Sequence, residues 1–222
     1  MSARRTDDSG IVVIGLGRFG SRLAGSLAQL DHDVLAIDGS PERVQHWSSQ
    51  LERVVQADST EESVLRQVGV GDFQRVVVAI GASVEASVLT VLALTELGIP
   101  QIWARATSEK HAKILSSVGA HHVIFPEAET GERVAHLIVS KMLDFIEFGD
   151  DFAIAKVRVP QAMVGRPLRE LAPADRYGVM VVGAKLPDQP FRYAGPGTVL
   201  RRDSVLIVEG SIAQVQRFAS LG

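Results

Sequence analysis

The chain has 222 residues, of which 46% are apolar and 22% charged, with a net charge of −3 and no cysteine. Disulfides, thiolate catalysis and cysteine-based zinc sites are excluded, and no excess of positive charge points to nucleic acid. The most hydrophobic stretch, Val76 to Ile99, contains Glu85 and Glu96 and makes a poor membrane span, so a soluble protein is expected.

Residues 1–10, MSARRTDDSG, are polar and read as a disordered N-terminus without a signal-peptide core. From Ile11, short β-rich runs alternate with helical patterns. Strands are expected at Ile11–Ile14, Val34–Ile37, Arg53–Gln56, Arg75–Ile80, Gln101–Arg105 and His122–Phe125. Each run is short, apolar and nearly continuous, as in strands covered on both faces. Between them, Phe19, Leu23, Leu27 and Leu30 make one helical face. Ser40-Pro41 supplies a cap before a first-turn proline, and Val84, Val88 and Val91 stripe a helix that Gly98 ends. Repeated βα units of this kind predict the α/β class, with a Rossmann-like doubly wound parallel sheet.

The pattern changes after Pro126. A longer helix is expected over residues 130–148, with Val134, Leu137, Ile138, Lys141 and Phe145 on one face, followed by a hinge at Gly149-Asp150-Asp151. Strand-like runs at Phe152–Val159, Val179–Ala184 and Ser204–Val208, turn-rich segments and a terminal helix from Ile212 predict a small α+β C-terminal domain. The expected division is 1–10, 11–129, 130–150 and 151–222.

Gly15-x-Gly17-x-x-Gly20 follows a buried strand and opens an amphipathic helix. In that setting the first glycine allows the turn, the second admits phosphates and the third lets helix and sheet approach. The helix N-terminus offers N–H groups and partial positive charge. Asp38 ends the second strand, where a carboxylate binds ribose hydroxyls and repels a 2′-phosphate. Arg18, between the last two glycines, is either placed to grip phosphate oxygens or a solvated surface arginine. Asp58, in the segment Asp58-Ser59-Thr60, is either an adenine-side acid or a helix N-cap. Ala79 and Gly81 end the fourth strand at the same edge, and Arg105 ends the fifth, facing phosphate or a surface ion pair.

Signs of chemistry are absent. None of the six histidines (His32, His46, His111, His121, His122, His136) has a recognisable catalytic setting, and no HExxH, P-loop or GxSxG occurs. A small NAD-dependent oxidoreductase and an NAD(H) redox sensor stand as the alternatives to a non-enzymatic nucleotide sensor.

IVVIGLGRFG, Asp38, ADST at 57–60, the stretch at 76–106 and GAHHVIFPEAETGERVA at 119–135 together resemble the RCK/KTN regulatory subunits of bacterial potassium uptake systems, of the KtrA/TrkA type. The resemblance implies an RCK N-terminal domain over 11–129, a crossover helix and hinge over 130–150 and an RCK C-terminal domain over 151–222. It implies no enzymatic activity. It also implies a cytoplasmic homo-oligomer, an octameric ring of dimers, peripheral to the inner face of the membrane. The ring docks on a membrane-embedded potassium-translocating subunit of the KtrB/TrkH type, and ATP and ADP favour different ring shapes; NAD(H) is the other candidate ligand.

Residue by residue, Gly15, Gly17, Arg18, Phe19 and Gly20 match the phosphate-binding turn, with Arg18 reaching the terminal phosphate of ATP. Asp38 matches the ribose ligand and Asp58 with Ser59 the adenine side. Ala79, Gly81 and Arg105 fall beside the phosphates, and Glu127 matches an acid that helps bind Mg²⁺ or Ca²⁺ between neighbouring subunits. Read by itself, Glu127 is a first-turn acid that answers a helix dipole. Two departures stand out. Asp31 replaces the glycine that usually closes the first helix, and is expected to take up the left-handed cap. Ala172-Pro173-Ala174 stands where the family carries an Asn-x-Arg segment before Tyr177-Gly178, which speaks against cyclic di-AMP binding.

Overall fold

The computed structural model describes residues 10–222; apart from Gly10, the expected disordered segment 1–10 lies outside the described residues. The chain divides into two units, Met1–Pro126 and Glu127–Gly222.

In the first unit, β1 (Ile11–Ile14), β2 (Val34–Asp38), β3 (Arg53–Gln56), β4 (Arg75–Val78), β5 (Gln101–Arg105) and β6 (His122–Ile124) form a parallel sheet in the order β3-β2-β1-β4-β5-β6. Helices α1 (Arg18–Gln29), α2 (Pro41–Trp47), α3 (Glu62–Gln67), α4 (Val84–Glu96) and α5 (Glu109–Ser117) connect them. β1, β2 and most of β4 are buried along their length, which explains the absence of alternation in their sequences. Alternate residues serve opposite faces. Ile11, Val13, Val34 and Ala36 pack with Ala24 of α1, while Val12, Ile14, Leu35 and Ile37 pack with Leu65 of α3 and Val91 and Leu94 of α4.

Helix ends follow local chemistry. The Ser40 hydroxyl accepts from the Arg43 N–H and Pro41 occupies the first turn of α2. Asp31 takes a φ of 60°, and the His32 and Asp31 N–H groups donate to the Leu27 and Ala28 carbonyls at 3.1 and 3.0 Å. This is the double-bonded left-handed helix stop, with aspartate in the place glycine usually takes. Gly98, with φ 75°, closes α4 in the same way.

In the second unit the expected long helix is corrected. α6 (Pro126–Val139) starts earlier and stops at Val139, and Met142–Phe148 is a strand, β7, antiparallel to β8 (Phe152–Arg158). Lys141 and Phe145 therefore belong to no helical face. The source of the misreading is visible in the ladder. Its register shifts between Met142 and Asp144, so Met142 and Phe145, three residues apart, are both buried. A bulge thus gives a strand the spacing of a helix. The expected hinge at Gly149-Asp150-Asp151 is the turn of this hairpin, with φ of 62° at Asp150 and 59° at Asp151.

The chain continues through the short helices α7 (Leu168–Leu171) and α8 (Pro173–Tyr177) to β9 (Met180–Lys185), β10 (Arg192–Tyr193), β11 (Val205–Ser211) and α9 (Ile212–Ala219). The sheet order is β10-β9-β11-β8-β7, and its pairings are antiparallel. Phe218 and Val215 of α9 join Ala153, Ala155, Val157, Leu206 and Val208 in one core. α9 opens with a reciprocal cap between Ser211 and Gln214. The fold is the expected one: a doubly wound parallel sheet plus a small α+β unit. Among the described residues, no helix is long and apolar enough to cross a membrane.

Candidate nucleotide-binding site

β1 is flanked by β2 on one side and β4 on the other, so the strand order reverses there. In a doubly wound sheet a crevice opens outside the strand ends at that point. A cavity of about 870 Å³ lies there.

The β1–α1 turn contributes Gly15, Gly17 and Arg18 to the wall. Gly15 has a φ of 97°, which a side chain would strain. A Cβ on Gly20 would overlap the Gly15 carbonyl oxygen and stand 2.8 Å from the Ala79 Cβ, so the third glycine is a packing requirement. Gly20 and Phe19 do not line the cavity; they lie in the first turn of α1, Gly20 buried and Phe19 half-buried. Arg18 is the first residue of α1 and exposed at the cavity wall. Among the described residues its guanidinium has no hydrogen-bond or ion-pair partner.

Asp38 ends β2 and is 6% exposed. Its Oδ2 accepts from the Leu16 N–H at 2.6 Å, and its Oδ1 from the Ser40 N–H at 2.8 Å. Arg43, in the first turn of α2, donates to Oδ2 at 3.3 Å and also lines the cavity. A single buried carboxylate therefore ties the glycine turn to the end of β2.

Asp58 and Ser59 follow β3 at the same wall. Asp58 is not a helix cap: Glu61 holds that position for α3. Instead Asp58 Oδ1 accepts from the Thr60 N–H at 3.0 Å and the Thr60 hydroxyl at 2.7 Å. Those donors hold its carboxyl below the usual aspartate value. Ser59 is buried, and its hydroxyl shares a 2.9 Å hydrogen bond with Thr90 of α4.

Ala79 and Gly81 line the wall beyond β4, with Ile80 between them. Arg105, at the end of β5, reaches the same cavity across Gly81. A Cβ on Gly81 would stand 2.6 Å from Arg105 Cζ, so the guanidinium lies directly on this glycine. Behind it, His111 is 2% exposed. Its Nδ1 accepts from the Thr107 N–H at 3.3 Å, which requires an unprotonated Nδ1. Burial, and then the charge of Arg105, hold the imidazole below its ordinary value of 6.5.

Comparison with known proteins places this arrangement. Residues 11–126 match the TrkA-N domain and residues 152–221 the TrkA-C domain. The chain is 35% identical over 207 residues to Ktr system potassium uptake protein C of Bacillus subtilis (strain 168), covering 93% of this chain and 94% of that protein. It is 32% identical over 219 residues to Ktr system potassium uptake protein A of the same organism, covering 98% and 99%. The chain belongs to the RCK/KTN family. In structure it resembles the GsuK RCK domain, with a TM-score of 0.55 and 25% identity over 97% of this chain. It spans just under half of that chain, at 46%. A GsuK structure bound to ADP matches 60% of this chain and 35% of its own, with a TM-score of 0.50 and 26% identity.

Within this RCK chain, the fold brings Gly15, Gly17, Arg18, Asp38, Asp58, Ser59, Ala79, Gly81 and Arg105 to one cavity. Glu127 lies in the first turn of α6, in the second unit. Among the described residues, no three His, Asp or Glu side chains are grouped to hold a metal ion. Sequence reasoning missed Arg43, and left open whether His111 was a surface or a packing residue. Arg43 was legible in principle as a cation one helical turn past the ribose-position aspartate. His111 gave no signal, because a histidine on a helix reads the same whether exposed or buried. In the second unit, Ala172 both ends α7 and precedes α8, with a φ of 43°.

Proposed function

We propose that this chain is a cytosolic, non-enzymatic regulatory subunit of a potassium uptake system. ATP and ADP compete for the cavity at the β1–β4 crevice, with NAD(H) the other candidate. The occupied forms favour different shapes of a homo-oligomeric ring, and the ring gates a membrane-embedded potassium-translocating subunit. Residues 11–129 carry the sensing site and residues 151–222 belong to the C-terminal domain.

One observation carries the reading. In a chain similar to two potassium uptake proteins over nearly its full length, the switch-point cavity has arginine at the α1 N-terminus and carboxylates at the ends of β2 and β3. Cations and helix N–H groups on one side suit phosphates, and acceptors on the other suit ribose hydroxyls and the adenine amino group. The ADP bound in the GsuK structure supports an adenine nucleotide. Arg18 is the discriminator, since a third phosphate adds an anionic acceptor for it. Glu127 takes part in holding Mg²⁺ or Ca²⁺ between neighbouring subunits.

Gating needs differential affinity, because a ligand that binds both shapes equally shifts nothing. A tenfold preference is worth about 1.4 kcal/mol per site, and sites in a ring add. The test is thermal stabilisation of the purified chain by ATP, ADP, NAD and NADH, with and without Mg²⁺ or Ca²⁺. A ligand at a hundred times its Kd adds about 2.7 kcal/mol. That corresponds to a rise in Tm of roughly 5–10 °C for a chain of this size. Stabilisation by NADH alone would replace the ATP/ADP reading with an NAD(H) sensor, and steady NADH turnover would replace both with an oxidoreductase.

A further inference from the structure

A nucleotide base has flat, apolar faces, and no aromatic ring among the described residues lines this cavity, including the end assigned to the base, to cover them. The planar cationic group at the Asp38 end is the guanidinium of Arg43. It lies on α2, its side chain is 53% exposed, and its Nη1 donates to Asp38 Oδ2 at 3.3 Å. Asp38 is itself fixed by two backbone N–H groups, so it is a firm anchor. Arginine has five N–H donors in a rigid plane, and this anchor restricts where the plane can go without covering its face. The wall formed from β4 contributes the Ile80 side chain, which is half-buried and apolar.

We propose that Arg43 is the base platform of the cavity. Its guanidinium, tethered by Asp38, stacks on one face of the purine, and Ile80 covers the other. The proposal rests on the nucleotide reading above and deepens it by assigning the base contact to an arginine on α2. A stacking platform is tolerant of base identity, because every base has a π face. Discrimination among bases then falls to hydrogen bonding by Asp58.

The competing explanations are that Arg43 serves only as the counter-charge of Asp38, or that it binds phosphate. Calorimetric titration of the full chain with ATP and with ribose 5′-triphosphate, which lacks the base, separates them. Arg43→Ala is expected to weaken ATP roughly tenfold and to leave ribose 5′-triphosphate within about twofold, the size of a partly desolvated cation–π contact. Arg43→Lys keeps the charge and loses the plane, and is expected to recover little of the ATP affinity. Melting of each variant without ligand verifies that the fold is intact, which the half-exposed position favours. Equal weakening of both ligands, ATP binding unchanged in Arg43→Ala, or full rescue by lysine would each overturn the platform while leaving the nucleotide reading in place. If the unaltered chain binds neither ligand, the nucleotide reading falls and the platform with it.

Discussion

The Leu16 N–H donates to Asp38 Oδ2 at 2.6 Å, joining the glycine turn after β1 to the end of β2. The carboxylate expected to hold the ribose therefore also holds the loop that would receive the phosphates. Asp38→Ala leaves the buried Leu16 N–H without its acceptor and removes the anchor of Arg43. An unsatisfied buried group of this kind costs about 1–3 kcal/mol. We expect the ligand-free Tm to fall by roughly 2–10 °C and affinity for every adenine nucleotide to fall as well. Calorimetry below the variant's transition separates the two effects. Unchanged titration in a folded variant would leave Asp38 as a structural anchor alone.

Gly81→Ala is a substitution with a local consequence. The new Cβ would overlap the guanidinium of Arg105, the far end of a flexible side chain, and the backbone at Gly81 does not require a positive φ. The chain is expected to fold with Arg105 displaced, at the cost of the contact Arg105 makes within the structure. Charge-assisted hydrogen bonds contribute about 1.5–3 kcal/mol, so loss of one such contact to phosphate predicts roughly tenfold weaker ATP binding or more. Wild-type affinity together with wild-type Tm would remove Arg105 from the site.

Much of the first unit was legible because its central strands β1, β2 and β4 are buried on both faces and short β-branched runs mark the others, β3, β5 and β6, which are only partly buried. β1, β3 and β5 have the bounds the apolar runs suggested, and Asp31 takes the left-handed cap. β7 was not legible. Its bulge sets Met142 and Phe145 three residues apart on one buried side, and only the pairing with β8 distinguishes that from a helix. The candidate site divides in the same way. Gly15, Asp38 and Arg18 are tied to the strand–turn–helix pattern, which a sequence displays. Arg43 and His111 depend on where α2 and α5 sit against the sheet, which it does not.

Arg18 is exposed at the cavity wall and has no partner among the described residues, so removing it breaks nothing else. Arg18→Ala is expected to leave Tm within about 2 °C, as for a surface substitution. It is expected to weaken ATP roughly tenfold and ADP much less, the difference being one charge-assisted contact to the third phosphate. Parallel ATP and ADP titrations supply the check. Equal weakening would show that Arg18 binds phosphate without sensing the third one.

The burial of His111 carries a pH dependence. Its folded-state value lies below the ordinary 6.5, so between the two values the unfolded chain binds more protons than the folded one. Stability from this group is fully present above pH 6.5 and is lost as pH falls toward the folded value. His111→Gln removes the titration and retains an acceptor for the Thr107 N–H. Plots of Tm against pH from 7.5 to 5 are expected to fall less steeply for the variant than for the parent chain. The other titrating groups are common to both proteins and cancel in the difference. Identical slopes would mean that His111 protonates without cost in the fold.

Glu127 lies in the first turn of α6, beside the positive end of the helix dipole. Besides the contact it makes within the structure, a carboxylate there has two jobs that can be separated by experiment. As a dipole partner it contributes a few tenths of a kcal/mol up to about 1 kcal/mol, whether or not a cation is present. As a ligand to Mg²⁺ or Ca²⁺ it matters only when the cation and the nucleotide are bound. Glu127→Gln is nearly isosteric and removes the charge. If the carboxylate serves the cation, the variant binds ATP as the parent does in chelator, and loses the enhancement that added Ca²⁺ or Mg²⁺ gives the parent. If it serves only the helix, the ligand-free Tm drops slightly and the two calcium titrations coincide. Nucleotide titrations with and without divalent cation, on both proteins, decide between these outcomes.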